Sequence, residues 1–222
     1  MNTLSDTLRA SGSVLRDHAM SSLPKQKYDE LFTYGDYRLW PENERWELIG
    51  GAAHAMSPAP MTQHQGILGA LFAKFYTFLQ GKRCRVFVAP FDVRLPEGDE
   101  ADDDIETVVQ PDIVVICDRK KLDRRGCKGA PDLVIEIVSL STARKDTHEK
   151  LTLYERHGVK QYWLVFPGEH VVQVHELCDG KYGAPTMYAD NDRIAVSFFP
   201  GLEIDLAAVF EEMDFEEYEP ER

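Results

Sequence analysis

The spacing of apolar residues predicts helices in three parts of the chain. In residues 64–81, apolar side chains recur every three or four positions, which is typical of a helix with one buried face, and Gly81 provides its end. Residues 139–158 begin with Ser and Thr, which favour helix N-termini, and finish at Gly158, so a second helix is expected there. The spacing from Tyr28 to Trp40 is compatible with another helix, closed by Pro41.

Short apolar runs between these segments predict strands. "ERWELIGGAAHAM", residues 44–56, is typical of a hairpin in which Gly50-Gly51 forms the two-residue turn. Further strands are expected at 85–95, 108–117, 132–139 and 160–166, followed by a β-meander at 170–177, 181–189 and 193–199. The order strand, helix, strand in the middle of the chain favours an α/β fold. We therefore predict a mixed central sheet flanked by helices, with an added antiparallel β-meander.

The length and composition suit one domain with extensions. The chain has 222 residues, 43% of them hydrophobic, and we expect a domain at 25–210 between an N-terminal extension, 1–24, and an acidic tail, 211–222. No apolar stretch is long enough to span a bilayer and no signal peptide is recognisable, so a cytoplasmic protein without membrane association is expected. The four cysteines are widely spaced and include no CxxC pair, which favours buried free thiols over a zinc site or disulfides.

The charge is strongly negative and unevenly distributed. The formal net charge is -13, and residues 97–106 carry seven acids and no base, while 211–222 carry seven acids and one arginine. Blocks of like charge are usually solvated loops or tails. Affinity for a phosphate backbone rests on Lys and Arg, so the overall acidity argues against a broad nucleic-acid-binding surface.

One carboxylate, Glu136, interrupts the apolar run from Leu133 to Val138. An edge or antiparallel strand could turn it towards water, whereas on a buried strand an unpaired carboxylate would be costly. Asp112 opens the preceding predicted strand, and neighbouring strands lie about 4.8 Å apart, so the two acids could converge on one hard cation such as Mg²⁺. Asp132 stands at a similar strand start, and there we expect only a turn-capping role.

The helix that follows Glu136 supplies a possible third group. Asp146, Lys150 and Tyr154 recur at intervals of four residues and so share one helix face. That face could be a solvated surface with an ordinary Asp-Lys pair. If it looks towards the end of the sheet instead, Lys150 could bind a phosphate or orient an attacking water.

Several segments together resemble a known family. "RWELIGG", "MSPAPMTQHQ", "VFVAPFDVRL", "VVQPDIVVI", "GAPDLVIEIVSLSTARKDTHEKLTLYERHGVKQYWLVF" and "FPGLEIDLAAVF" are similar to the Uma-type endonuclease family of the PD-(D/E)XK, restriction-endonuclease-like superfamily. The resemblance covers about 28–210 and is most specific at 110–166. It implies a restriction-endonuclease-like fold and a Mg²⁺- or Mn²⁺-dependent nuclease. Such an enzyme hydrolyses phosphodiester bonds of nucleic acid, with DNA as the expected substrate, often as a homodimer.

The resemblance also assigns metal ligands and a lysine. It implies that Asp112, Glu136 and the carbonyl of Ile137 hold the metal. Val138 occupies the position at which the superfamily usually has its lysine. The family places this lysine on the following helix, which suggests Lys150, with Lys145 as the second choice.

Two further residues, Glu47 and His64, match recurrent family positions and are expected to line the site. Their alternatives are a surface acid of the hairpin and a histidine at a helix start. The chain departs from the family pattern in having "SLST" where "SPST" is more usual, and in its long acidic loop. The main functional alternative is a nuclease-like fold that no longer cuts and serves as a binding or assembly module, which the net charge favours.

Overall fold

The computed structural model describes residues 30–41, 43–56 and 61–211. The predicted extension 1–24 and all but the first residue of the predicted acidic tail lie outside this part of the chain. Its helices are α1 (Tyr34–Tyr37), α2 (Thr62–Leu79) and α3 (Leu151–His157), and a π-helix (Lys145–Lys150) leads directly into α3. Its strands are β1 (Trp46–Ile49), β2 (Ala52–Ala55), β3 (Arg85–Val88), β4 (Val93–Arg94), β5 (Val108–Val109), β6 (Ile113–Ile116), β7 (Leu122–Asp123), β8 (Gly126–Lys128), β9 (Leu133–Ile137), β10 (Gln161–Phe166), β11 (Val171–Cys178), β12 (Lys181–Tyr182), β13 (Thr186–Ala189), β14 (Arg193–Ala195) and β15 (Glu203–Asp205).

A mixed sheet forms the centre of the fold, as predicted. Its strand order is β12-β11-β10-β9-β6-β3, and β13 pairs with β11. The central strand β9 pairs in parallel with β10 and antiparallel with β6. The strand that carries Glu136 is therefore neighbour to the strand that Asp112 precedes.

A second sheet has the order β2-β1-β5-β4-β8-β7. The predicted hairpin is present in it, with Ile49 opposite Ala52 on either side of the Gly50-Gly51 turn. Strand β1 also pairs with β5 through Leu48 and Val108. The hairpin is thereby fixed beside the segment that leads into Asp112.

Helices cover the two faces of the central sheet. Helix α2 buries one stripe of residues four apart against the sheet: Ile67, Leu71, Phe75 and Leu79. The opposite face packs against α3 through Leu153 and Tyr154. Alternation along β9 sends Leu133, Ile135 and Ile137 to the α2 side, and Val134 and Val138 to the α3 side. Glu136 consequently points to the side of α3.

Several predicted elements are shorter or paired differently. Only Tyr34–Tyr37 is helical in the described part of the segment 28–40, where the aromatic side chains pack on one another. The strands expected at 85–95 and 108–117 are each interrupted at a proline, Pro90 after a cis peptide bond and Pro111, because proline has no N–H for the strand ladder. The last strand of the predicted meander is present but short, Arg193–Ala195, and it pairs with β15 rather than with β13.

The prediction of four buried free thiols was also wrong. Cys84 and Cys117 are joined by a disulfide, because the antiparallel pairing of β3 with β6 brings their ends together. Cys178 is an exposed thiol, and Cys127 is the thiol that is buried as expected.

The acidic loop 97–106 is packed and ion-paired rather than simply solvated. Ile105 is fully buried, and Asp102 binds the buried guanidinium of Arg94 at 2.6 Å. Asp103 pairs with Arg38 at 3.0 Å, and Glu97 pairs with Arg156 at 2.5 Å. Much of the negative charge that the sequence concentrates here is therefore neutralised within the fold.

Candidate active site

Asp112 and Glu136 lie side by side at one end of the central sheet. The register that pairs Ile113 with Ile135 sets Asp112 opposite Glu136. The Oδ2 atom of Asp112 accepts a hydrogen bond from the backbone N–H of Ile137 at 2.8 Å. The backbone N–H of Asp112 in turn points at Glu136 Oε2, 3.4 Å away. The predicted convergence of the two carboxylates is thus present.

The oxygens of the Glu136 carboxylate have different surroundings. Oε1 accepts hydrogen bonds from Lys150 Nζ at 2.8 Å and from the Tyr154 hydroxyl at 3.1 Å. Within the part of the chain that the structure describes, Oε2 has only the long contact with the Asp112 N–H. Two strong donors therefore orient the carboxylate so that Oε2 faces Asp112. Glu136 is only 4% exposed, so the solvated interpretation is excluded.

Glu47 joins the same cluster from strand β1, although it is distant in sequence. Its side chain is fully buried, and its Oε1 accepts a hydrogen bond from the backbone N–H of Gln110 at 3.0 Å. Lys150 lies 2.7 Å from Oε1, and Lys145 donates to Oε2 at 2.7 Å. Glu47 is therefore shared by two lysines, and it is not the surface acid of the alternative interpretation.

The π-helix explains how both lysines reach one carboxylate. Lys145 and Lys150 are five residues apart, and the i to i+5 hydrogen bonds of a π-helix place such residues one above the other. In an α-helix the same pair would be about 140° apart around the axis. Asp146 also lies within this turn, buried, with Oδ1 3.8 Å from Lys150 Nζ.

His64 approaches Asp112 from the first turn of α2, as its predicted position requires. Its Nε2 lies 3.2 Å from Asp112 Oδ2. Its Nδ1 is buried and has no hydrogen-bond partner among residues 30–41, 43–56 and 61–211. The structure thus brings together the five predicted site residues, Glu47, His64, Asp112, Glu136 and Lys150, and with them Lys145, the second choice for the lysine.

Burial and unequal charge perturb the titration of the site. Burial raises the pKa of Glu136 to about 8, against the attraction of Lys150. Burial acts in the same direction on Glu47, but the charges of Lys150 and Lys145 outweigh it and lower the pKa of Glu47 to about 2. Burial would lower the pKa of Lys150, yet the surrounding carboxylates, Glu136 first, hold it well above its ordinary value. Lys150 is therefore a permanent cation in this cluster.

The charges of the cluster suit a divalent cation. Four acids, Glu47, Asp112, Glu136 and Asp146, face two lysines, so the cluster has a formal excess of two negative charges when all of them are ionised. Burial opposes that state by raising the pKa of Glu136 and Asp146, and a bound divalent cation would offset it. Mg²⁺ commonly uses one or two protein carboxylates together with waters and a substrate phosphate, so Asp112 and Glu136 fit such an ion. A cage of three or more His, Cys, Asp or Glu ligands is absent from the described parts of the chain.

Two residues that build the site were not predicted to do so. Tyr154 was recognised as sharing a face with Lys150, but its hydrogen bond to Glu136 was not expected. Gln110 donates a hydrogen bond from its backbone N–H to Glu47, and its side-chain oxygen accepts one from Arg45 at 3.0 Å. The four-residue spacing was the signal for Tyr154, whereas a backbone donor such as that of Gln110 leaves no signal in the sequence. Asp132 has a structural role, but it does not cap a turn as expected, because it accepts hydrogen bonds from the N–H of Cys117 at 2.7 Å and from Lys160 at 2.6 Å.

Two acids on adjacent strands of a mixed sheet, with a lysine on the following helix, are the arrangement expected of a restriction-endonuclease-like protein. Residues 34–207 match the model of the Uma2 family, described as "Putative restriction endonuclease", and the chain belongs to this family. A solved structure with the same fold is titled a "putative nuclease belonging to DUF820" from Anabaena variabilis. It is 21% identical with a TM-score of 0.65, and the match covers 81% of this chain and 98% of that one.

No curated protein matches the chain. Within the described residues, no helix has the length and apolar character needed to cross a membrane.

Proposed function

We propose that the protein is a metal-dependent endonuclease that hydrolyses phosphodiester bonds of nucleic acid, with DNA as its substrate. The observation that carries this proposal is the pairing of Asp112 with Glu136, in which Lys150 and Tyr154 occupy one oxygen of Glu136 and leave the other facing Asp112. The family to which the chain belongs supports a nuclease. Asp112 and Glu136, together with the carbonyl of Ile137, would hold Mg²⁺ or Mn²⁺.

The protein groups divide the remaining work. A bound divalent ion would neutralise charge on the scissile phosphate and make a water molecule more acidic. Lys150 orients Glu136 by donating to its Oε1, and its positive charge would stabilise the negative charge that develops on the phosphate. Lys145 is less buried than Lys150, and among the described residues its ion pair is with Glu47 alone, so it is the lysine better able to turn towards a substrate phosphate. His64 steadies Asp112.

The substitution Asp112→Asn tests the assignment. It removes one of the two carboxylates that face each other but keeps the size of the side chain, so plasmid cleavage in Mn²⁺ should be lost. Asp132→Asn is the matched control, because Asp132 also precedes a strand but binds Cys117 and Lys160 away from the cluster. If Asp112→Asn cuts plasmid DNA as fast as the parent protein, the assignment is wrong.

A binding or assembly module without cleavage is the second candidate. The net charge of -13 and the absence of a three-ligand cage among the described residues favour it. Calorimetric titration with Mg²⁺ and Mn²⁺ discriminates between the two. An endonuclease of the proposed kind takes up the ion in the wild type but not in Asp112→Asn, whereas a pure binding module shows no uptake that depends on Asp112.

We also propose a homodimer, which would present two sites to the two strands of DNA.

A further inference from the structure

Five basic residues collect at the end of the central sheet away from Asp112. They are contributed by the loop before β3 and by the segment after β6, and we call them the basic patch: Lys82, Arg83, Arg85, Arg119 and Lys120. Three of them stand within four consecutive residues of a chain whose net charge is -13. Such a local concentration is opposite in sign to the rest of the molecule.

Covalent and hydrogen bonds hold the two halves of the basic patch together. Arg85 pairs with Ile116 across β3 and β6, and the next residues outwards, Cys84 and Cys117, are bonded as a disulfide. Arg119 Nε donates to the backbone carbonyl of Arg83 at 3.3 Å. The patch is consequently a fixed surface, because its spacing is set by the sheet.

The charges of the basic patch are not neutralised by the protein. Many basic side chains elsewhere pair with an acid, as Arg94 does with Asp102. None of the five forms an ion pair with an acid in the described parts of the chain. The guanidinium of Arg85 is turned to backbone carbonyls, those of Lys82 at 2.6 Å and Cys84 at 2.9 Å. Lys82, Arg83, Arg119 and Lys120 are exposed.

We infer that the basic patch binds the sugar-phosphate backbone of the nucleic acid on which the proposed site acts. Arginine is the majority residue, and its planar donors suit phosphate oxygens. Strand β3 is the last strand of the central sheet and pairs with β6, so the patch and Asp112 lie at opposite ends of this strand pair. The five residue-to-residue steps from Asp112 to Cys117 span about 16 Å in an extended strand, close to five base-pair steps of duplex DNA at about 3.4 Å each.

This inference rests on the proposed function and answers the objection raised by the net charge. The protein repels a polyanion over much of its surface, but the patch supplies a local attraction that also sets the direction in which a duplex leaves the site. A duplex bound at Asp112 should therefore need about five further base pairs on one side to gain full affinity.

The test compares two variants that each remove one arginine and one lysine. Arg83→Gln/Lys120→Gln changes the patch, and Lys74→Gln/Arg193→Gln changes exposed residues elsewhere, so both have the same net charge. Binding of a fluorescent DNA duplex of about 30 base pairs is measured by anisotropy in EDTA over a range of salt. Each lost phosphate contact should reduce the slope of log affinity against log salt by about 0.9, so the patch variant should lose about 1.8.

At about 0.1 M salt the patch variant should bind at least about tenfold more weakly than the control variant. Equal binding by the two variants, or no binding by the wild type, overturns the inference. Polyglutamate that displaces the duplex at equal charge concentration also overturns it, because the patch would then serve acidic polypeptides. Binding through the patch without cleavage in Mn²⁺ contradicts the proposed function alone, and cleavage with equal binding contradicts the patch alone.

Discussion

Lys150 should be the residue whose loss costs the fold most stability among the polar members of the site. It is 3% exposed and serves three buried carboxylates, those of Glu47, Glu136 and Asp146. Lys150→Met keeps an unbranched chain of similar length but leaves these acids short of one positive charge. Removing one partner of a buried ion pair typically costs about 3 to 5 kcal/mol. A domain of ordinary stability has about 5 to 15 kcal/mol in total, so the variant should be severely destabilised.

Urea unfolding followed by tryptophan fluorescence measures the effect. The matched control is Lys145→Met, because Lys145 is less buried and its partner Glu47 keeps Lys150. Loss of that one hydrogen bond to a charged group should cost about 1.5 kcal/mol. A destabilisation by Lys150→Met no larger than that of Lys145→Met would refute the idea that Lys150 neutralises the buried acids.

The cost of Lys150→Met should also depend on pH. The pKa of Glu136 is raised, so its ionisation within the fold opposes stability as pH rises from its unfolded value towards about 8. Without Lys150 that pKa rises further, because the attraction that opposed burial is gone. Both folded proteins keep the Glu136 proton between about pH 5 and pH 7, so the difference in unfolding free energy between variant and wild type should change little in that range. It should increase above about pH 8, where the wild type loses this proton and the variant still holds it.

Three further results are expected. The pKa of Glu136 is raised to about 8, so a bound Mn²⁺ ion must displace a proton from this carboxyl below that pH. Mn²⁺ affinity should therefore rise about tenfold per pH unit below about pH 8, and calorimetry should detect the released proton. An affinity that does not change with pH would contradict this. Tyr154→Phe should weaken Mn²⁺ binding, because it removes the hydrogen bond that orients Glu136. Tyr162→Phe is the control and should leave Mn²⁺ binding unchanged, because it removes a hydrogen bond to the backbone carbonyl of Asp146. Equal effects of the two substitutions would count against a role for Tyr154. Gly126→Ala should lower the free energy of unfolding, measured by thermal unfolding, by at least about 2 kcal/mol, because the φ of Gly126 is +128° and a Cβ there would lie 2.2 Å from the backbone oxygen of Asp92. Gly98→Ala is the control, because a Cβ at Gly98 would meet no atom within 4 Å.

The elements that could be predicted from the sequence are those whose signal is local. The 64–81 helix, the Gly50-Gly51 hairpin and the strand around Glu136 were predicted within a few residues, because periodicity and turn residues are properties of short segments. The partner of β14 could not be predicted, because strand pairing is decided by contacts distant in the chain. The two-residue strands of the second sheet are too short to show any period.

The candidate site was predicted through side-chain type and family resemblance rather than through geometry. Alternation along β9 placed Glu136 on the side of Val134, and the structure agrees. The sequence left open whether Glu136 on that side is exposed to solvent, because its exposure depends on the helix that packs there. The coupling of Glu47 to Lys145 joins residues 98 positions apart, and no local pattern indicates it.

The same limit applies to the charge. A count over the chain gives a strongly acidic protein, and the acidic loop was expected to repel a polyanion. In the folded chain Arg94 and Arg38 neutralise part of that loop, while the basic patch is assembled from two segments more than thirty residues apart. Net charge therefore describes solubility better than it describes the local field at any one surface.

The π-helix relates the spacing of the two lysines of the site to the type of helical turn that carries them. A π turn holds one residue more than an α turn, and that extra residue is what aligns Lys145 with Lys150. Deletion of Thr147 alone would remove no charge and no proposed ligand, and it would leave the two lysines four residues apart, a spacing at which an ordinary α-helix keeps them within about 40° of each other. Relatives of this protein could therefore carry the two lysines either five residues apart on a π turn or four residues apart on an α turn, with every acidic residue of the site unchanged.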